Sequence, residues 1–341
     1  MQKNIIALAI AGAIVAPAAL AQTANPVTLY GRVYVTVESV EAKGGANPIV
    51  RRERVEDQSS LFGIRGTEDL GGGLKLFFQL ETPFRADSNV TTFASRNSGI
   101  GLQGGWGTLL AGRWDTPYKV TTYPVDLYLD LTNGAIVGTL HDRGNFDRRE
   151  QNVLQYWTPT VAGFAARISV TSNEGRTATL SPRSYSGNVT YTKGPFYAFY
   201  AYEEHQDVSA TIGKEKGNTA GGYIQFGPVK VGAVYEQIEK TGLTDKKGWL
   251  GNLLYTLGKH QLGWQYMTVE DGAAANAAQP ECDSNSVSYF YNFSKRTFLI
   301  AQYIRIDNNE ASSVCNFGAN ALPLTAGQDP RGLSVGLRHV F

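Results

Sequence analysis

The side chains best suited to chemistry here are arginines on alternating positions and aspartates gathered in one long connection. Arg32, Arg65, Arg96, Arg113, Arg149 and Arg338 fall in or beside stretches where apolar and polar residues alternate, each on the polar side. The connection 115–150 carries Asp115, Asp126, Asp130, Asp142 and Asp147. Guanidinium groups set across water from carboxylates make a transverse field that orients polar solutes and biases ion passage by sign. That is the chemistry of a sieve. Catalytic chemistry has less to build on. His141, His205, His260 and His339 lie on separate elements, and none sits in a nucleophile phrase or a metal-spacing motif, so neither an enzyme nor a metal site is expected. The glycines at 101, 104, 105 and 107 form a turn between strands and open no helix, which removes a dinucleotide reading, and no cofactor is expected. Cys282 and Cys315 are the chain's 2 cysteines and, in an exported protein, are expected to pair as a structural disulfide between outer loops.

Export itself is read from the first 21 residues. Lys3 supplies a positive start, Ile5 to Val15 an apolar stretch, and Ala19-Leu20-Ala21 a small-x-small cleavage pattern, so the mature chain is expected to begin at Gln22. No later run is long and apolar enough for a membrane helix. The formal net charge of +1 includes Lys3 and leaves the mature chain near neutrality, which excludes a nucleic-acid binder. The 38 glycines, 18 tyrosines and 15 phenylalanines suit many strands and tight turns.

Period-two alternation positions the charged residues. Leu333, Val335, Leu337 and Phe341 share one face of the last segment, with Ser334, Gly336 and Arg338 on the other. Val27, Leu29, Gly31, Val33, Val35 and Val37 alternate in the same way with Thr28, Tyr30, Arg32, Tyr34 and Thr36. Two such terminal strands can pair and close a sheet, which lipid makes compulsory because unpaired backbone groups find no water there. Between them lie segments near 59–67, 73–82, 93–103, 107–114, 151–158, 162–171, 184–192, 196–205, 218–226, 229–238, 248–257, 261–270, 284–293 and 297–307, for a total of sixteen strands. Connections alternate between short turns and long segments (39–58, 83–92, 115–150, 172–183, 206–217, 239–247, 271–283 and 308–330). That asymmetry, with an even strand number, predicts a 16-stranded antiparallel transmembrane β-barrel of all-β class, with short periplasmic turns and long outer loops. Trp106, Trp157 and Trp249 are expected in the interfacial girdle first and in packing second. Gly31, Gly99 and Gly101 are expected to face outward, compatible with protein packing or with bends.

Five phrases in order carry a family resemblance: Val27-Thr28-Leu29-Tyr30-Gly31; Phe62 to Gly71; Gly101-Leu102 through Gly107 with Ala111-Gly112-Arg113; Arg149-Glu150-Gln151-Asn152 with Tyr156-Trp157-Thr158-Pro159 and Gly163-Phe164; and Gly336-Leu337-Arg338-His339 before Phe341. The chain resembles the Gram-negative general porins, specifically the trimeric sixteen-strand group of Neisseria and Comamonas type. The resemblance implies an outer-membrane homotrimer among lipids and lipopolysaccharide, passing small hydrophilic solutes and inorganic ions through a water-filled channel. It also implies that loop 115–150 folds inward as the constriction. Arg65, Arg96 and Arg149 would then form its basic wall with Arg113 in support, and Asp126 and Asp130 its acidic side, giving an anion preference. Leu61 and Tyr34 depart from the family, which has Arg and Asp there, and both are expected to point into the lumen. An alternative stays open: a substrate-specific channel for one class of small anionic solutes, to which Tyr118, Tyr123 and Tyr128 of the loop would contribute.

Overall fold

A computed structural model of the chain describes residues 27–88, 92–128, 132–141, 145–209, 213–274, 277–309 and 315–341. The expected leader 1–21, Asp130 and Asp142 lie outside these residues. The strands are β1 (Thr28–Gly44), β2 (Ile49–Asp57), β3 (Leu61–Gly71), β4 (Leu74–Pro83), β5 (Ser98–Gly104), β6 (Gly107–Asp115) and β7 (Arg149–Trp157). There follow β8 (Phe164–Thr171), β9 (Arg183–Lys193), β10 (Phe196–Gln206), β11 (Lys214–Phe226) and β12 (Val229–Lys240). The last five are β13 (Lys246–Leu257), β14 (His260–Glu270), β15 (Glu281–Asn292), β16 (Thr297–Asn308) and β17 (Gln328–Val340).

Apart from β2 and β3, which do not pair with each other, each strand pairs antiparallel with its sequence neighbours, and β1 also pairs with β17 from Arg32↔Val340 to Gly44↔Gln328. The sheet is therefore closed, as the matched terminal strands predict. Phe341 adds a final pair of backbone bonds, its N–H donating to the Gly31 carbonyl at 3.0 Å and its carbonyl accepting from the Gly31 N–H at 3.1 Å. β2 and β3 both pair with β1, β2 along Val35–Ala42 and β3 along Thr28–Arg32, so they are two lengths of one stave and the barrel has sixteen. The expected long loop 39–58 is consequently corrected: it is mostly an extended hairpin. Glu38, Arg54, Glu41 and Arg51 form cross-strand ion pairs along it, which a composition-based loop reading overlooks.

The break in that stave has a local cause. Ser59 adopts a left-handed φ of 62°, while the Ser60 N–H donates to Asp57 Oδ1 at 2.8 Å and the Gln58 N–H to the Tyr34 carbonyl at 2.8 Å. At three of the short turns a glycine leads the pair of turn residues. Gly194, Gly227 and Gly258 have φ near +56°, +54° and +59° with open space around them, as two-residue hairpins with the sheet's right-handed twist require.

Parity decides which face meets water. Leu333, Val335 and Leu337 are exposed on the outside while Ser334 and Gly336 are buried within. An arginine on the lipid side at mid-depth would cost about 2–4 kcal/mol, which keeps the charged set inside. Two expectations fail on register. Gly99 and Gly101 pair with Gln79 and Phe77 on the inner face and do not point outward. Trp157 also turns inward, 5.9 Å from Trp114 and beneath the Arg167 guanidinium, whereas Trp106 and Trp249 are exposed.

Candidate functional site

The segment 116–148 between β6 and β7 enters the barrel and lies along its inner wall. A short helix, α1 (Pro117–Thr121), starts it, with Thr116 Oγ1 accepting from the Lys119 N–H as N-cap. From there the inner loop is bound strand by strand. Asn188 of β9 donates to the Pro117 carbonyl, and the Tyr197 hydroxyl of β10 to that of Thr121. Lys230 of β12 donates to the Pro124 carbonyl, and Asn252 of β13 to that of Val125. Gln265 of β14 donates to Asp126 Oδ1 at 3.0 Å and to the Gly134 carbonyl at 3.1 Å. The Tyr128 hydroxyl meets Ser286 and Ser288 of β15, and Asn133 donates to Glu38 of β1. The return limb is held by Glu236 of β12. Its carboxylate accepts from the His141 N–H at 2.7 Å and the Tyr118 hydroxyl at 3.1 Å, and pairs with the His141 ring. Burial and that carboxylate push the Tyr118 phenol well above its usual range, so it stays a donor.

The loop therefore covers the wall from β9 to β16, reaches β1 at Tyr34 and Glu38, and leaves the side of Arg32 and β3–β7 open. There a cavity of about 760 Å³ remains, lined by Arg32, Glu81, Arg96, Asn97, Arg113, Asp115, Lys119, Arg148, Arg149, Asp147 and Glu150. Ser59, Leu61, Tyr123, Val137, Gly318 and Ala319 complete it. Its charges are interleaved. Arg96 Nε lies 2.6 Å from Glu81 Oε1, Arg149 Nη2 2.9 Å from Asp115 Oδ1, and Lys119 Nζ 2.8 Å from Asp147 Oδ1. Arg148 Nη1 lies 3.5 Å from Glu150. Arg32 and Arg113 differ. Arg32 Nε donates to the Ser59 carbonyl at 2.9 Å, so the stave break positions it, and neither arginine pairs with a carboxylate among the described residues.

Of the residues singled out in the sequence, Arg96, Arg113 and Arg149 line this cavity. Arg96 does so from the connection before β5, not from a strand. Arg65 does not line it. It faces the lumen opposite Thr28, four positions toward the short-turn end from Leu61, with its guanidinium 4.8 Å from the Tyr30 ring. Asp126 is buried against the barrel wall, accepting from Gln265 and from the Tyr128 and Ile136 N–H groups, and is spent on holding the loop. Of the three loop tyrosines only Tyr123 lines the cavity; Tyr118 and Tyr128 are packed beneath the loop. Leu61 and Tyr34 do point inward. The residues that the sequence reading gave no place in the constriction are Glu81, Lys119, Arg148 and Glu150. A signal existed for three: Asp115 and Lys119 are four apart at a helix start, and Asp147-Arg148-Arg149-Glu150 is a quartet of two bases flanked by two acids at the loop's exit. Away from the cavity, Cys282, at the start of β15, and Cys315 are joined as a disulfide.

The model of a family described as Gram-negative porin matches residues 7–311. The chain is 30% identical to outer membrane porin protein 32 of Delftia acidovorans over the full length of both. It is 29% identical to major outer membrane protein P.IB of Neisseria meningitidis, again over the full length of both. Among solved structures it is similar to the anion-selective porin from Comamonas acidovorans, with a TM-score of 0.80 and 26% identity, covering 93% of this chain and 100% of that one.

Proposed function

The chain belongs to the Gram-negative porin family, non-enzymatic channels of the outer membrane, and from that premise we propose that it passes small hydrophilic solutes and ions by passive diffusion, with a preference for anions. The observation that carries the preference is the charge census of the cavity. Six basic side chains line it against four acidic ones, and each acid has a basic partner within 3.5 Å. Arg32 and Arg113 supply the excess. A fixed positive surplus in a narrow aqueous passage lowers the energy of a passing anion and raises that of a cation. The paired groups contribute a field that orients polar solutes without adding net charge.

Porins of this family are typically trimeric, which supports a homotrimer in contact with outer-membrane lipids and lipopolysaccharide. The anion-selective character of the Comamonas acidovorans relative supports the same sign of selectivity. The decisive measurement is the zero-current potential across a planar bilayer holding the purified protein in a KCl gradient. A potential of the sign given by chloride permeation is expected; one set by potassium would overturn the anion preference.

A further inference from the structure

A second, smaller cavity of about 150 Å³ lies in the lumen between the inner loop and the wall. Phe298, which lines it, is one residue from the start of β16, so the pocket sits toward the short-turn end. Its walls are aromatic where a water-filled barrel would be polar. Phe290 and Phe298 meet edge-to-face at 5.8 Å, Tyr34 stands edge-on to Phe298 at 5.8 Å, and Tyr128 lies 6.4 Å from Phe290. Arg338, directly opposite Tyr34 in the closing ladder, holds its guanidinium carbon 5.4 Å from the centre of the Phe298 ring.

Three polar atoms lining this pocket are buried without a hydrogen-bond partner among the described residues: the Tyr34 hydroxyl, Thr132 Oγ1 and Arg338 Nε. Tyr34 is 1% exposed and Thr132 3%, so bulk water does not reach them freely. Tyr128, in the same walls, shows the ordinary outcome, its hydroxyl meeting both Ser286 and Ser288. Orphaned donors converging on one apolar pocket point to a ligand that brings acceptors and a flat apolar body. A wholly apolar molecule would leave the donors unsatisfied, and inorganic phosphate would place a highly hydrated ion against phenyl rings. A single benzene ring fits a cavity of about 150 Å³, and a carboxylate suits two hydroxyls and a guanidinium.

We propose that this pocket binds a small aromatic monocarboxylate, with the ring among Phe290, Phe298 and Tyr128 and the carboxylate on Tyr34, Thr132 and Arg338. The proposal rests on the channel reading and deepens it. Arg32 of the larger cavity is two residues from Tyr34 on the same inward face, so the two cavities are neighbours along β1.

The test uses the full-length protein, purified and folded. Benzoate, acetate and benzyl alcohol are each titrated against chloride current in planar bilayers, and their binding to the detergent-solubilised protein is followed by saturation-transfer NMR. Benzoate is expected to depress the current saturably, at a half-effect concentration at least about tenfold below either comparison compound, since only it satisfies both halves of the pocket. Tyr34→Phe removes one donor to a charged group with little change of shape, and is expected to weaken benzoate about tenfold; Arg338→Gln is expected to weaken it at least as much. Equal action of benzoate and acetate, or undiminished benzoate binding to Tyr34→Phe, would overturn the proposal while chloride current leaves the channel reading standing. Benzoate binding by NMR to a protein that conducts no chloride would do the reverse.

Discussion

The two halves of the barrel wall begin with the same inheritance and end differently. Along β9–β16 the inward-facing Asn188, Asn252, Gln265 and Glu236 bind the inner loop and are no longer available to solutes. Along β1–β7 the inward-facing Arg32, Glu81, Arg113 and Arg149 have no loop over them and line the open cavity. Parity is alike in both halves, and each sets polar side chains inward, amides foremost under the loop and arginines on the open side. Cover separates them, so an inward charge is a pore charge only where the loop is absent.

The footing under the loop is the place to break this comparison most severely. Glu236→Ala leaves the His141 N–H, the His141 ring and the Tyr118 hydroxyl buried without their acceptor. Removing one partner of such a buried cluster costs about 3–5 kcal/mol, which we expect to appear as loop detachment in an intact barrel. Single-channel current noise should rise sharply, with protease cutting within 116–148, and Glu236→Gln should be milder. A quiet, protease-resistant Ala variant would show that the loop is held elsewhere.

On the open side the effects are smaller and have opposite signs. One unit charge at about 7 Å in water at about 0.1 M salt moves an anion and a cation by about 0.3 kcal/mol in opposite directions, enough to change their permeation ratio about threefold. The double variant Arg32→Gln, Arg113→Gln should therefore lower the chloride-to-potassium permeability ratio about tenfold, as measured by zero-current potentials. Glu81→Gln, which frees Arg96, should raise that ratio about threefold. If both changes moved selectivity in the same direction, the division into paired and surplus charges would be wrong.

The least effect is expected outside the passage, where Asp87 in the connection after β4 is held below its usual carboxyl value, chiefly by its hydrogen-bonded pairing with Arg85, 2.6 Å away. A lowered folded value means that this contribution is complete above the unfolded carboxyl value of about 3.9 and fades as the pH falls through the depressed one. Asp87→Asn should thus speed protease cutting of this connection modestly at pH 7, and the difference from the parent protein should shrink under strongly acidic conditions.

Much of this was legible beforehand because the governing interactions are local. Alternation with a period of two assigns each strand residue to lipid or lumen, and the cost of charge in hydrocarbon enforces the assignment; Arg32, Arg65, Arg113 and Arg338 all face inward as read. Closure by the terminal strands followed from their matching patterns. The misses lie where a single residue resets parity or where distant segments meet. Gly99 and Gly101 were assigned to the wrong face because the β5 register is set by its neighbours Gln79 and Phe77.

The sequence by itself determined a closed barrel, an inward set of arginines and a long acidic connection, since each depends on backbone pairing and on a side chain's transfer between water and lipid. Only the tertiary structure decided the path of that connection. It turned Asp126 into an anchor, paired Arg96 and Arg149 with carboxylates, and left Arg32 and Arg113 as the surplus. The physical reason is range: facing is settled within a few residues, whereas cover and charge pairing depend on contacts of about 3 Å between segments far apart in the chain.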